Sequence, residues 1–372
     1  MRIAFLCKRR YMGKDVIDDR YARLYEIPYQ LARLGHEVHG FCLDYRDSED
    51  VAAVHEASPG SLHWQGHSLK RSWMTRLAGY PRWIAARLGV LKPDLVIGAS
   101  DIPHVALAVA LARRLGVPCH VDLYDNFEGF GQARIPGFKA LLRTATRRAA
   151  LVTTTSPALA TLVREQYRAQ GVVVNMPSTV DLTVFRPCDK REAREAFDLP
   201  QDAVLVGTAG GLHLDKGIGV LYQAWPKFAD SHPQAHLVLA GPYGRTPPPP
   251  LPRTHYLGQL AHAQVAQLFG ALDIGVIYLR NTAFGQYCFP QKAYEMLATH
   301  LPVVASTVGA MPDLLGEQPE TMYRPDDAAD LVRALEWQLG ARWRPQALIE
   351  DWQAIIGRLE PRLRQLVQCQ SA

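Results

Sequence analysis

Phe284–Leu315, FGQYCFPQKAYEMLATHLPVVASTVGAMPDLL, is the stretch whose reading decides the fold. It reads as a proline-marked turn, a short helix, a tight connection, a buried strand and a further loop. Ala293, Met296 and Leu297 recur at helical spacing and predict a helix over 291–299. Pro290 stands where a first helical residue tolerates proline, since that position has no amide bond to lose. Glu295 follows Gln291 by four residues and Lys292 by three, so the three side chains share or adjoin one face. LPVVAS then supplies a β-branched strand, and Gly309 lets the next loop turn sharply. A helix N-terminus attracts phosphates, and a carboxylate beside a lysine suits a ligand that carries hydroxyls as well. The same residues also describe an ordinary amphipathic helix with a solvated Lys292–Glu295 pair.

Upstream of this stretch, strand and helix alternate. AVLVGTAGGLHLDKGIGVLYQAW is a strand, a Gly210–Gly211 turn and a helix, with Lys216 at the helix start where phosphate binds. It lacks the GxxxxGK[ST] spacing of a Walker loop. HLVLAGP, the proline-rich loop GRTPPPPLPRT, HYLGQL and DIGVIYL continue the alternation. Near the N-terminus, RIAFLC, a polar loop, YEIPYQLARLGHEV and VHGFCLDY read as strand, loop, helix, strand, the start of a doubly wound parallel sheet. The loop carries Arg9, Arg10, Gly13, Lys14, Asp18 and Asp19 without GxGxxG spacing, so it is no dinucleotide fingerprint, and a mobile solvated loop fits it as well. A later strand ends at Leu123, and Asp122, Asp125, Asn126 and Glu128 cluster around that end. Carboxylates there suit a general base or the orienting of a hydroxyl nucleophile, although Asp and Asn also favour plain turns. Residues 72–91 and the Arg71 just before them mix Trp73, Met74, Leu77 and Trp83 with Arg76, Arg82 and Arg87, a pattern for an anionic membrane surface or for a helix covering its own sheet.

With 372 residues, 48% hydrophobic and 21% charged, the chain fits two soluble domains. Residues 1–186 hold 25 Lys+Arg against 17 Asp+Glu, net +8, and the rest hold 16 against 19, net −3. Only the first half therefore suits an anionic surface or substrate. Cys7, Cys42, Cys119, Cys188, Cys288 and Cys369 are scattered without a CxxC pair and read as reduced cytosolic thiols with no zinc site. No signal peptide or membrane span is expected, which points to the cytoplasm.

The order of these pieces resembles the GT-B glycosyltransferases, specifically the large retaining class called family 4. VVVNMPSTVDLTVFRP, the KG after the glycine turn, HLVLAGP, HYLGQL, FPQKAYEMLA and PVVASTVGAMPDLL carry the likeness, with GHEV and topology in the first half. The resemblance implies two Rossmann-like doubly wound domains facing across a cleft. They would be an acceptor domain over 1–183, with a C-terminal helix over 350–372 packing back on it, and a nucleotide-sugar domain over 184–349. It implies a UDP- or GDP-linked sugar donor, and a saccharide or lipid-linked acceptor in polysaccharide or glycolipid synthesis. No metal, other cofactor or nucleic acid is expected, and contact with an anionic membrane is. Carried over by position, Lys216 contacts the diphosphate, Gly210 and Gly211 let the backbone approach it, and Glu295 binds the ribose. Tyr287, Phe289, Pro290, Gln291 and Lys292 line the sugar and phosphate site, and Leu257, Gly258 and Leu260 lie near the base. Asp125, Lys216 and Glu295 are the expected catalytic residues, with Gly13, Lys14, Asp122, Asp125 and Asn126 on the acceptor side. Tyr287 stands where the family has its first glutamate, Gly211 near its usual arginine, and Asp125 where a histidine is usual. The alternatives are a GT-B epimerase or hydrolase, which would consume donor without acceptor, and a protein that only binds the nucleotide sugar.

Overall fold

A computed structural model describes residues 1–46, 49–70, 72–346 and 349–371. Arg71, named above beside the 72–91 segment, and Ala372, the last residue of the expected 350–372 helix, lie outside the described residues. The chain divides into two compact units, one of Met1–Ser178 with the C-terminal helix Trp352–Ser371, the other of Thr179–Asp351. The division falls at 178/179 rather than 183/184 because Val180, with Leu182 packed beside it, already belongs to the second unit's core.

The first unit contains β1 (Arg2–Lys8), β2 (Arg10–Tyr11), β3 (Lys14–Asp15), α1 (Ala22–Arg33), β4 (Glu37–Asp44), β5 (Val51–Ala57) and β6 (Gly60–Ser68). There follow α2 (Trp73–Leu91), β7 (Leu95–Ala99), α3 (Ile102–Leu115), β8 (Cys119–Leu123), α4 (Phe138–Arg148), β9 (Leu151–Thr154), α5 (Pro157–Glu165) and β10 (Val172–Asn175). The sheet order is β10-β9-β8-β7-β1-β4-β6-β5, parallel except for the β5 edge, which returns antiparallel on β6. β1 enters the core as a continuous apolar run, as a central parallel strand covered on both faces must. The C-terminal helix covers one face, with Ile355, Ile356, Leu359 and Leu363 joining Ile3, Phe5, Ile27 and Leu31. His36, buried at the end of α1, bonds Glu360 of that helix at 2.8 Å.

The polar loop after β1 is ordered. β2 and β3 form an antiparallel hairpin turning at Met12 and Gly13. Buried Arg9 bonds buried Asp15 at 2.8 Å and ties the hairpin to the sheet end.

The second unit holds α6 (Lys190–Glu195), β11 (Val204–Ala209), α7 (Gly219–Ser231), β12 (Ala235–Ala240), β13 (Thr254–Tyr256), α8 (His262–Ala271) and β14 (Ile274–Ile277). α9 (Gln291–Ala298), β15 (Val303–Ser306), α10 (Met311–Leu315), β16 (Met322–Tyr323) and α11 (Ala328–Ala341) complete it. Its sheet is parallel throughout, in the order β13-β12-β11-β14-β15-β16. Leu205 and Val238 face one core while Val206, Leu237 and Leu239 face another, so both sides are covered by helices. Among the described residues no helix is long and apolar enough to cross a membrane.

Candidate active site

In the second unit the site is built at the carboxyl ends of β11, β12 and β14, where doubly wound sheets bind ligands. β11 runs out into Gly210, at φ +114°, a conformation that side-chain-bearing residues rarely adopt. A Cβ on Gly241, just past β12, would stand 2.1 Å from the Gly210 carbonyl oxygen, so the two backbones touch. The Gly241 amide donates to the Gly258 carbonyl at 2.6 Å, which sets the 257–260 loop beside the turn. Leu257 and Leu260 are partly buried against the core there. Tyr278, past β14, donates its hydroxyl to the Gly211 carbonyl at 3.1 Å and fixes the turn from the other side.

Two ammonium groups converge on this turn. Lys292 Nζ lies 3.5 Å from where a Gly210 Cβ would stand, and Lys216 Nζ lies 3.3 Å from the same point at Gly211. Lys292 also sits 4.5 Å from the centroid of the Tyr278 ring, a cation–π contact. Burial pushes the Lys292 ammonium down to about 8; Glu295 opposes that shift and the Lys216 charge adds to it. Burial pushes the Glu295 carboxyl up to about 7, against the pull of Lys292. Lys292 and Glu295 are both half-buried, and neither forms an ion pair or side-chain hydrogen bond among the described residues. The solvated ion pair allowed by the sequence is therefore not formed. Incompletely compensated charges gathered at a sheet end are what a charged, hydroxylated ligand would complete.

The loop ahead of α9 is held by close backbone packing. A Cβ on Gly309, at φ +65°, would meet the Cys288 carbonyl oxygen at 2.3 Å, and the Ala310 amide donates to that oxygen at 3.1 Å. Phe289 packs edge-on against Tyr294 at 4.7 Å between ring centroids. Pro290 caps α9 from just outside rather than occupying its first turn, and Gln291 is the first helical residue. Tyr287 closes a 3₁₀ turn and is half-buried. His213 escaped the sequence reading, yet it covers Gly211, with Cδ2 2.7 Å from that residue's Cβ position. Tyr278 escaped it too, because its role depends on strand adjacency, which no local pattern encodes.

In the first unit the predicted acceptor residues separate. Asp125, just past β8, is buried, and its carboxylate accepts from the Asn126 amide at 2.8 Å. Burial pushes its pKa up to about 7, with the Asn126 amide opposing, the range a general base near neutral pH needs. The Asp122 carboxylate is instead committed to a buried ion pair. It is fully buried in a bidentate pair with Arg23 (2.6 Å to Nη2, 2.9 Å to Nε) and accepts from Thr153 Oγ1 at 2.6 Å. Arg23 reaches on to the Met176 carbonyl at 2.9 Å, so this pair latches α1, β8 and the end of β10 together. The Asn126 side chain caps the next turn by accepting from the Glu128 amide. Gly13 and Lys14 are exposed at the hairpin tip. Among the described residues no three His, Cys, Asp or Glu side chains gather as a metal site.

α2 exposes Trp73 (62%), Met74 (65%) and Leu77 on its first two turns, while Tyr80, Ile84 and Leu88 face the sheet. Of its arginines, Arg76 pairs with Asp50, Arg87 lies 3.8 Å over the Trp83 ring, and Arg82 is exposed.

Comparison with known proteins finds likeness in both units. Residues 22–178 match a family model described as glycosyl transferase 4-like domain, and residues 203–340 match one described as glycosyl transferases group 1. A D-inositol 3-phosphate glycosyltransferase of Stackebrandtia nassauensis is 29% identical over 280 residues, 70% of this chain and 58% of that protein. The match thus spans little more than half that relative's length. The sucrose-phosphate synthase of Thermosynechococcus elongatus superposes with a TM-score of 0.74 at 20% identity, covering 99% of each chain. Anabaena Alr3699/HepE, solved in complex with UDP, superposes at 0.67 with 16% identity over the whole of both chains, and its UDP-glucose complex at 0.66. These superpositions show the GT-B fold.

Proposed function

We infer that this chain, a GT-B protein resembling the family 4 glycosyltransferases, moves a sugar from a nucleoside-diphosphate sugar to an acceptor hydroxyl. The observation that carries the inference is the convergence of Lys216 and Lys292 on the Gly210–Gly211 turn, with Glu295 one helical turn further along α9. Two cations at a turn stripped of side chains suit a diphosphate, and a carboxylate beside them suits the ribose diol. Lys292 supplies from α9 the charge that an arginine usually brings near the glycine turn. Both lysines would stabilise the negative charge that grows on the departing diphosphate, each charge-assisted contact being worth ~1.5–3 kcal/mol. The donor-side role extends to Leu257, Gly258 and Leu260 near the base, and to Tyr287, Phe289, Pro290 and Gln291 around the sugar. UDP, which the Anabaena neighbour binds in its crystals, is the first base to test, with GDP second.

In the first unit Asp125 orients the acceptor hydroxyl and accepts its proton as the glycosidic bond forms. Its burial keeps it a base of suitable strength, with its pKa near neutrality. The acceptor is a saccharide or a lipid-linked sugar. The exposed Trp73, Met74 and Leu77 favour the second, through peripheral contact with an anionic membrane at the cytoplasmic face. Co-sedimentation with vesicles tests that part: binding equal for wild type and Trp73→Ser/Met74→Ser removes it. The reading as a whole is tested by nucleoside diphosphate release from UDP- and GDP-sugars across a panel of sugar, polyol-phosphate and lipid-linked acceptors. Acceptor-dependent release supports transfer. Equal release without acceptor favours hydrolysis or epimerisation, and binding with no release favours a non-catalytic binder.

A further inference from the structure

The carboxyl ends of four neighbouring strands, β9, β8, β7 and β1, are tied together at one residue, Tyr124. Its hydroxyl accepts a hydrogen bond from Lys8 Nζ at 3.0 Å, from the last residue of β1. The same hydroxyl donates to the Ser100 carbonyl, just past β7, at 3.0 Å. Its own carbonyl accepts from Thr155 Oγ1, just past β9, at 2.9 Å. The ring stands edge-on to Tyr11 at 5.0 Å and to Phe127 at 5.1 Å between centroids. The peptide that joins Tyr124 to Asp125 is therefore fixed at its carbonyl and, through the ring, at the side chain.

Two features set this network apart from ordinary core closure. Ser100 is fully buried and holds φ +82°, a left-handed conformation that persists in a non-glycine residue only where its surroundings impose it. Its hydroxyl accepts from the Lys8 amide at 2.7 Å, so the strained residue is bound to both ends of Lys8 through its own oxygens and Tyr124. In addition, Lys8 is half-buried: burial lowers its pKa and nearby Asp101 counters the shift. An ammonium held in that environment to reach a tyrosine hydroxyl points to a positional role.

We propose that Lys8, acting through Tyr124 and Ser100, is a positioning residue that fixes the Asp125 carboxylate for the acceptor hydroxyl. The proposal rests on the reading of Asp125 as the acceptor-side base. The contacts of Lys8 are to Tyr124, Ser100 and Tyr11, so in this proposal its loss affects the reacting geometry and not donor binding, since a misplacement of about 1 Å costs on the order of a hundredfold in rate.

The test compares Lys8→Met, Tyr124→Phe, the double variant and Asp125→Asn in the full chain, with a nucleotide-sugar donor and whichever acceptor supports turnover. Lys8→Met is expected to lower kcat about 10–100-fold with donor KM changed less than about twofold. Tyr124→Phe, which keeps the ring and removes only the hydroxyl, is expected to do the same and carries the test if Lys8→Met fails to fold. The double variant should be no slower than the worse single one, because both break one chain of contacts. Full kcat in both single variants, or losses that multiply in the double, overturns the inference. If Asp125→Asn is inactive while Lys8→Met is fully active, only the role of Lys8 falls. If Asp125→Asn is fully active, the base assignment itself falls.

Discussion

Replacing Asp125 with Asn should make the protein more stable and less active, and the stability gain should depend on pH. Asp125 is buried, 8% exposed, and its pKa stands at about 7 against an ordinary 3.8 because burial disfavours its charge. A carboxyl raised in the folded state contributes its full stability below the unfolded value and loses it as pH rises through the folded value. Between about 4 and 7 the folded chain holds this proton while the unfolded chain has released it, so each pH unit costs the wild type about 1.4 kcal/mol. Asn keeps the shape and the acceptor for the Asn126 amide but never ionises. The advantage of the variant should therefore be small at pH 4, about 2 kcal/mol at pH 5, and level off at up to about 4 kcal/mol above pH 7. Urea unfolding of both proteins from pH 4 to 8 reads this difference directly. Activity at pH 8 should fall by about 10²–10⁴, the usual worth of a general base. Wild-type turnover should rise as pH passes about 7, as Asp125 ionises. A stability gain equal at pH 5 and pH 8, or a variant weaker than wild type at pH 8, would refute the argument from burial.

Other perturbations separate structure from site. Asp122→Asn leaves Arg23 buried without its counter-charge and should cost about 3–5 kcal/mol in the same denaturation assay, opposite in sign to Asp125→Asn. Nucleoside diphosphate affinity should fall as pH rises through about 8, where Lys292 loses its proton; titration calorimetry should show this dependence vanish in Lys292→Met. Glu295→Gln keeps the shape but weakens the acceptor for the ribose diol, costing about 1.5–3 kcal/mol in donor binding; this reads as a rise in donor Kd with the melting temperature no lower than wild type, because Glu295 is also a carboxyl pushed up by burial. Gly241→Ala puts a Cβ 2.1 Å from the Gly210 carbonyl oxygen and must move the glycine turn, so donor KM should rise at least tenfold.

The second unit was legible because its signals are local. The Gly210–Gly211 turn, Lys216 before a helix and the 291–298 helix each follow from short-range spacing, and the parallel sheet follows from their alternation. What a sequence cannot give is which strand ends meet. Asp122 and Asp125 look alike as carboxylates three residues apart, yet one faces Arg23 across the sheet, with no cue in its own loop, and the other does not. Lys8 reads as the polar end of an apolar strand, and its tyrosine partner lies 116 positions on. The β2–β3 hairpin was hidden for a similar reason. Its order comes from the buried Arg9–Asp15 pair, while its composition is that of a solvated loop.

The central claim is that Lys216 and Lys292 together hold a diphosphate at the Gly210–Gly211 turn. Titration calorimetry of wild type, Lys216→Ala and Lys292→Met with UDP, GDP and the matching monophosphates tests it most directly. The account predicts that wild type binds one diphosphate in preference to its monophosphate. Each lysine variant should then lose about tenfold to a hundredfold in that affinity, with the monophosphate affected less. Unchanged diphosphate affinity in both variants, or no nucleotide binding in the wild type, would contradict it.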